Sequence, residues 1–339
     1  MTWYERLPKV ELHVHLEGAV PHGAMFELIR KYGGDPSVPD LTALVERFTY
    51  KDFDQFIAAW SWKNRFLREY EDFSYIAEQT ATDMARQNIR YAEMFFSPSL
   101  FIRHGLDVQK LTYAVRMGVS RVRGIRIALI ADLVRDYGPE REMKTLRELN
   151  NVKDQGVIGI GIGGSEHMFP PEPFQALYAA ARNMGFRTTV HAGEATGPES
   201  VWEAIRCLRP DRIGHATRAW EDARLIDYLA EHRIPLELCP MSNVRTGVVP
   251  SLAGHPIGDY FKRGLIVSVN TDDPKMFATS LAHEYRMLEQ ACGFSKQDIR
   301  ALILQGVRSS WLPEVDKQSL AQRFRKDRAW EEAPNQRAH

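Results

Sequence analysis

Four short runs in the 339-residue chain hold side chains able to bind a metal or move a proton. They are His13-Val14-His15, His191-Ala192-Gly193-Glu194, Gly214-His215 and Asn270-Thr271-Asp272-Asp273-Pro274. In an extended strand residues i and i+2 face the same way, so the imidazoles of His13 and His15 project together. Each run alone has a bland reading. A histidine at a strand end is often a satisfied core residue, and Asp-Asp-Pro makes a turn that can cap a helix. Two histidines, a third and an aspartate brought to one place form a nitrogen and oxygen donor set that suits Zn²⁺ with a position left for water. Fe²⁺ or Co²⁺ fit nearly as well.

Bringing these runs together is the work of the fold. Short β-rich segments recur at 10–16, 89–96, 125–132, 157–164, 187–194, 211–217, 235–242 and 265–272. Most are separated by stretches with helical periodicity, such as PPEPFQALYAAARNMG and EDARLIDYLAEHR. From the third onward their starts are 24 to 32 residues apart, the spacing of βα units in a parallel sheet. Eight such units predict a closed (β/α)₈ TIM barrel, with an open doubly wound sheet as the alternative. A barrel brings all four runs to one rim, which the bland readings do not explain.

No Pro/Ser-rich linker or compositional break marks a second domain, so residues 1–339 are expected to form a single barrel domain. The first crossover is the irregular one. It carries Phe48, Tyr50, Phe53, Phe56, Trp60, Trp62, Phe66, Tyr70 and Phe73, and predicts a helical insertion at about 20–85. Those aromatics suit helices packed on the barrel, a hydrophobic cap over its mouth, or both. The tail from Phe324 onward is charged and poor in apolar residues, as a frayed end would be.

Composition narrows the partners. Lys+Arg and Asp+Glu both total 44, so no basic footprint points to nucleic acid or an acidic membrane surface. A small, near-neutral substrate fits better. Cys207, Cys239 and Cys292 are odd in number and irregularly spaced, which argues for a reducing cytoplasm over a disulfide framework. The chain starts MTWYERLPKVELHVHL, without the apolar core of a signal peptide, and no stretch approaches the roughly 20 apolar residues of a membrane span. Gly159, Gly161 and Gly164 match a dinucleotide fingerprint by pattern. Pro170 and Pro171 keep a helix from opening directly after them, so close approach of a ligand or backbone is the better reading. With no Pro-Cys pair, the nucleobase deaminases that use P-C-x-x-C are excluded; HExxH and P-loop motifs are absent too.

The segments LPKVELHVHLEGAV, YAEMFFSPSL, HAGEATGPESVWEAI, RIGHAT, LELCPMSNVRTGVV and VNTDDPKMFATSL resemble, in order and spacing, the adenosine/adenine deaminase family of the metal-dependent amidohydrolase superfamily. That resemblance implies a (β/α)₈ barrel and hydrolytic deamination of a 6-aminopurine. It also implies one Zn²⁺ per chain, since the fourth strand has no lysine to bridge a metal pair. His13, His15, His191 and Asp272 would be the metal ligands. Glu194 would protonate ring nitrogen N1, and His215 would be the base that helps deprotonate and orient the attacking water. Asp273 would hold that water and accept a hydrogen bond on the N7 side. Glu17, Gly164, His15 and Asp273 would touch substrate, Gly164 through its backbone N–H facing N3. Protonating N1 requires Glu194 in its acid form, hence a pKa raised by burial.

Some positions depart from the family pattern. Glu17 stands where nucleoside deaminases usually have Asp, and Glu is commoner in adenine deaminases. Gly161 and Ser165 replace acids often found in the fourth-strand segment, and Ala216 replaces a usual Gly. A 6-aminopurine nucleoside is the leading substrate. Adenine, favoured by Glu17 and Ser165-Glu166, and 6-amino-6-deoxyfutalosine, favoured by GGSE and HAGEATGPESVW, are the alternatives. A catalytically silent purine-binding barrel is a further one, against which every ligand and the acid are present.

Overall fold

The computed structural model describes residues 1–51 and 53–332. Asp52, residues 333–339 and the side chains of Phe53 and Asp54 lie outside the described residues, so Phe53 in the expected cap and the end of the expected tail do as well.

Helix α1 (Trp3–Arg6) precedes strand β1 (Lys9–His15), and α2 (His22–Lys31), α3 (Leu41–Glu46), α4 (Phe53–Asn64) and α5 (Tyr70–Arg86) fill the crossover to β2 (Ile89–Phe96). Next come α6 (Pro98–Phe101), α7 (Val108–Ser120), β3 (Arg126–Val134), α8 (Pro139–Asn151), β4 (Val157–Gly163) and α9 (Gln175–Asn183). Strand β5 has two short segments, Arg187–Thr188 and His191–Ala192. It is followed by α10 (Pro198–Glu203), β6 (Ile213–His215), α11 (Ala223–Glu231) and β7 (Leu236–Leu238). Helices α12 (Pro240–Arg245) and α13 (Ile257–Lys262) lead to β8 (Val267–Val269). The chain ends in α14 (Leu281–Cys292), α15 (Lys296–Ser309), α16 (Glu314–Arg325) and α17 (Arg328–Glu331).

Every strand pairs in parallel with its neighbours in chain order, as right-handed βα crossovers require. At the break in β5, Thr189 N–H donates to the Ile160 carbonyl (2.9 Å) and Gly214 N–H to that of Val190 (2.8 Å), so the ladder continues through it. At the opposite seam Val14 bridges Asp272, with His15 N–H donating to the Asp272 carbonyl at 2.8 Å and Asp272 N–H to that of His13 at 3.0 Å. The eight strands thus form a (β/α)₈ barrel. All seven residues of β1 are buried, as expected of a strand covered by side chains inside and helices outside. The helices supply that cover with one apolar stripe each: α11 buries Leu225, Ile226 and Leu229, and α15 buries Ile299, Leu302, Ile303 and Val307.

The insertion packs in two places. Phe73, Ile76 and Ala77 of α5 are fully buried in the main core. Phe56 and Ala59 of α4 instead join Met276 and Phe277, beyond β8, in a second apolar cluster, with the rings of Phe56 and Phe277 4.9 Å apart. The later strands are shorter than expected. Those anticipated at 211–217, 235–242 and 265–272 stop at His215, Leu238 and Val269. Pro240 opens α12 almost at once, while His215, Ala216 and Asp272 take left-handed backbone angles (φ 60°, 52° and 62°) that end extended pairing. Such angles cost a non-glycine residue roughly 1–2 kcal/mol. Ala216 therefore bears strain where the family's usual glycine would not. Among the described residues no helix is long and apolar enough to cross a membrane.

Candidate active site

Strand β1 delivers His13 and His15, the second segment of β5 delivers His191, and the loop beyond β8 brings Asp272. His13 Nε2 lies 3.1 Å from His191 Nε2, and His15 Nε2 lies 3.3 Å from the same atom. Asp272 Oδ1 is 3.3 Å from His15 Nε2 and 3.8 Å from His13 Nε2. A tetrahedral zinc site with arms of ~2.0–2.1 Å spaces its donors by about 3.3 Å. The four separations above, 3.1 to 3.8 Å, lie around that spacing. With His215 in place of His15, one ligand atom from each of His13, His191, His215 and Asp272 lies within 4.8 Å of the others.

Hydrogen bonds behind the rings aim these atoms. His13 Nδ1–H donates to Glu237 Oε2 at 2.8 Å, and His191 Nδ1–H to the Ile162 carbonyl at 3.1 Å, so both Nε2 lone pairs face the quartet. Glu237 is itself held by Arg212 (Nε to Oε1, 2.5 Å), which is also paired with Glu93 at 2.5 Å. Phe95 stacks on His15 at 4.9 Å. Ser242 donates its hydroxyl to Asp272 Oδ2 at 2.7 Å, leaving Oδ1 for the histidines. Burial, then neighbouring positive charge, holds His13, His15 and His191 well below the usual histidine range, so all three are neutral at pH 7. Neutral imidazoles are the form that binds a metal.

The acid/base residues share one cavity with His15, His191 and Asp272 of this quartet. It measures about 290 Å³ and is lined by His15, His191, Glu194, His215, Asp272 and Asp273 among others. Gly164 lines it too, beside Ser165. Glu194 is mostly covered, with 12% of its side chain exposed, and its Oε2 is 3.6 Å from His215 Nε2. Burial first, then the nearby charge of Glu166, pushes its pKa up to about 8, against a smaller opposing pull from Arg135. Asp273 Oδ1 is buried and has no hydrogen-bond partner among the described residues. It occupies space that Gly18 leaves open: a Cβ at Gly18 would fall 1.6 Å from that oxygen. The insertion contributes Phe56, Ile57 and Trp60 to the wall, and the segment after β2 adds Ser97, Leu100 and Arg103. Glu17 is placed differently. Its carboxylate is buried outside the cavity wall and accepts the backbone N–H of Ser97 at 2.9 Å.

Several residues around the site have supporting roles that the sequence reading did not assign. Lys63 of α4 is 2% exposed and donates to the Glu17 carbonyl at 2.6 Å; burial brings its pKa down to about 8, with Asp273 and Glu17 opposing. Glu166 accepts the N–H groups of Gly193 (2.6 Å), Glu194 (3.2 Å), Ala195 (2.7 Å) and Thr196 (3.1 Å), and the hydroxyl of Ser200 (2.5 Å). One carboxylate therefore satisfies the whole turn that presents Glu194, a fixed anion seated in a nest of backbone donors. Asp136 does the same one loop earlier, accepting Ser165 N–H at 2.8 Å and its hydroxyl at 2.5 Å.

The chain is similar to known proteins over most of its length. The family model described as adenosine deaminase matches residues 8–327. The chain is 35% identical over 321 residues to the aminodeoxyfutalosine deaminase of Streptomyces avermitilis, covering 93% of this chain and 89% of that protein. It is 36% identical over 323 residues to the adenosine deaminase of Edwardsiella ictaluri, covering 93% and 97%. Among solved structures, the adenine deaminase from Arthrobacter aurescens superposes with a TM-score of 0.91 at 28% identity, over 96% of this chain and 100% of that one. An amidohydrolase from Burkholderia ambifaria, solved with bound Zn, superposes with a TM-score of 0.87 at 28% identity, over 95% and 92%.

Proposed function

A chain that belongs to the adenosine deaminase family is a hydrolytic deaminase, and from that premise we propose that its substrate is a 6-aminopurine nucleoside, converted to the 6-oxo product and ammonia. The observation that carries this reading is a single cavity where a carboxyl group kept protonated by burial faces a cluster of neutral imidazoles and a carboxylate. The wall formed by Phe56, Ile57, Trp60 and Leu100 gives the group on N9 an apolar surface that a bare base would leave uncontacted.

His13, His15, His191 and Asp272 would hold one metal ion, and their nitrogen and oxygen donors suit Zn²⁺, with Fe²⁺ or Co²⁺ as competitors. When bound, such an ion makes water nucleophilic at neutral pH. The remaining work falls to the chain. Aromatic C6 is a poor electrophile, because attack pushes negative charge onto the ring. Glu194 offers a proton at N1 that removes this charge. His215 Nε2 and Asp273 Oδ1, both buried without partners among the described residues, hold the attacking oxygen between them. The Gly164 backbone N–H faces the purine on the N3 side, and Glu17 acts on substrate through Ser97, whose N–H it fixes. The whole insertion and barrel act as one domain, and the free cysteines suit a reducing cytoplasm.

A second reading rests on Arg103, the one guanidinium among the described residues lining the cavity. It suits a nucleoside bearing an anionic group beyond the ribose, and the S. avermitilis relative makes 6-amino-6-deoxyfutalosine the first compound of that class to try. Both readings are tested by kcat/KM for adenosine, 2′-deoxyadenosine, 6-amino-6-deoxyfutalosine and adenine on metal-loaded protein. The nucleosides should exceed adenine. Adenine as the best substrate would overturn the choice of nucleoside while leaving the family untouched.

A further inference from the structure

We propose that His215 meets the attacking oxygen as an Nε2–H hydrogen-bond donor, neither a proton acceptor nor a metal ligand, because Ile257, His255 and Asn243 fix its tautomer from behind. The chain of reasoning starts at a group with only one possible role. The backbone N–H of Ile257 can only donate, and it points at His255 Nδ1 from 3.1 Å. Nδ1 of His255 is therefore the acceptor. Burial keeps this imidazole neutral, with its pKa down at about 3, so its single proton sits on Nε2.

That proton points at Asn243 Oδ1, 3.1 Å away, and the Thr217 hydroxyl donates to the same oxygen at 2.8 Å. Turning the amide over would set its N–H group against the N–H of His255, so the orientation is determined. Asn243 Nδ2–H then faces His215 Nδ1 at 3.2 Å. An Nδ1 that accepts leaves the proton of neutral His215 on Nε2. Nε2 is buried, has no hydrogen-bond partner among the described residues and opens onto the cavity. His215, Asn243 and Thr217 are all fully buried and His255 is 5% exposed, so no bulk water competes along the relay.

Two consequences follow. A protonated Nε2 has no lone pair for a metal, so the quartet that includes His15 holds the ion and the one that includes His215 does not. The base role that the family resemblance assigns to His215 gives way to that of a preorganised donor, and Asn243 and His255 become positioning residues. The tautomer follows from the hydrogen bonds alone. Its effect on rate rests on the deaminase reading.

The test is long-range nitrogen–proton NMR on chain carrying nitrogen-labelled histidine, with His215 assigned by comparison with His215→Gln. In metal-free protein His215 should show a protonated Nε2 and a bare Nδ1. Loading with spin-active cadmium should give metal couplings to His13, His15 and His191 and none to His215. Asn243→Asp, which can accept from Nδ1–H, should move the proton to Nδ1. It should lower kcat by ~10²-fold, the cost of removing one preorganised donor, while KM and metal content hold. A bare Nε2 on His215 in the unmodified chain, or a cadmium coupling to it, would overturn the proposal. So would an Asn243→Asp variant with unchanged tautomer and rate. Failure of the deaminase reading looks different: the unmodified chain would not turn over at all.

Discussion

Glu194→Gln keeps its metal and loses turnover by ~10²–10⁴-fold, the contribution of a positioned general acid. Gln preserves the shape of the side chain and can still reach N1, but it has no proton to give. The quartet should be undisturbed, because Glu194 makes no hydrogen bond to His13, His15, His191 or Asp272 and its near neighbour is His215, 3.6 Å away. The same residue sets a pH limb. Its raised pKa means that the acid form predominates below about 8, so kcat/KM should fall as pH rises through that value. Measuring kcat/KM against pH for both proteins checks this. A Glu194→Gln variant near the unmodified rate, or one with the same alkaline limb, would show that another group supplies the proton.

Asp272→Ala abolishes activity for a different reason: the protein no longer keeps its metal. The three imidazoles are neutral, so Asp272 brings the only negative charge in the quartet, with Oδ2 held by Ser242 and Oδ1 turned to His15 and His13. The barrel seam survives the substitution, since it is made by the backbone N–H and carbonyl of this residue. Ala tolerates the left-handed angle of position 272 less well than Asp does. Asp272→Asn, which accepts that angle and keeps a hydrogen-bond acceptor for Ser242, is therefore the companion variant. Metal analysis after dialysis should find each variant far below one ion per chain. Excess Zn²⁺ should restore turnover in part for Asn and less for Ala. Full metal content in both variants would remove Asp272 from the ligand set.

The barrel was legible because its strands and helices announce themselves locally. Short, β-branched runs such as IRIALIAD and VIGIGIGG read as buried strands, and their regular spacing leaves little choice of connection. The ends of the later strands were not, because what stops them is a left-handed angle at His215 and Asp272, imposed by the loop that each must enter. The reactive groups stood out by type: four histidines and four carboxylates at or near strand ends, of which all but His13 and Glu17, the latter behind Ser97, line one cavity. The groups that aim them did not. Glu237 lies 224 residues from His13, and Glu166 sits in a different loop from the turn it satisfies. Asn243 and His255 are given no role by the sequence, and acquire one only behind His215. A partner fixed only by tertiary contact leaves no period or motif in the chain.

The most direct test of the central claim is turnover of adenosine by metal-loaded protein in heavy-oxygen water, following ammonia and the mass of the purine product together. Hydrolytic deamination predicts one ammonia per adenosine consumed and a product heavier by a single labelled oxygen, with both signals lost in Glu194→Gln. No ammonia from adenosine or any other 6-aminopurine, or a product whose new oxygen did not come from water, would contradict it.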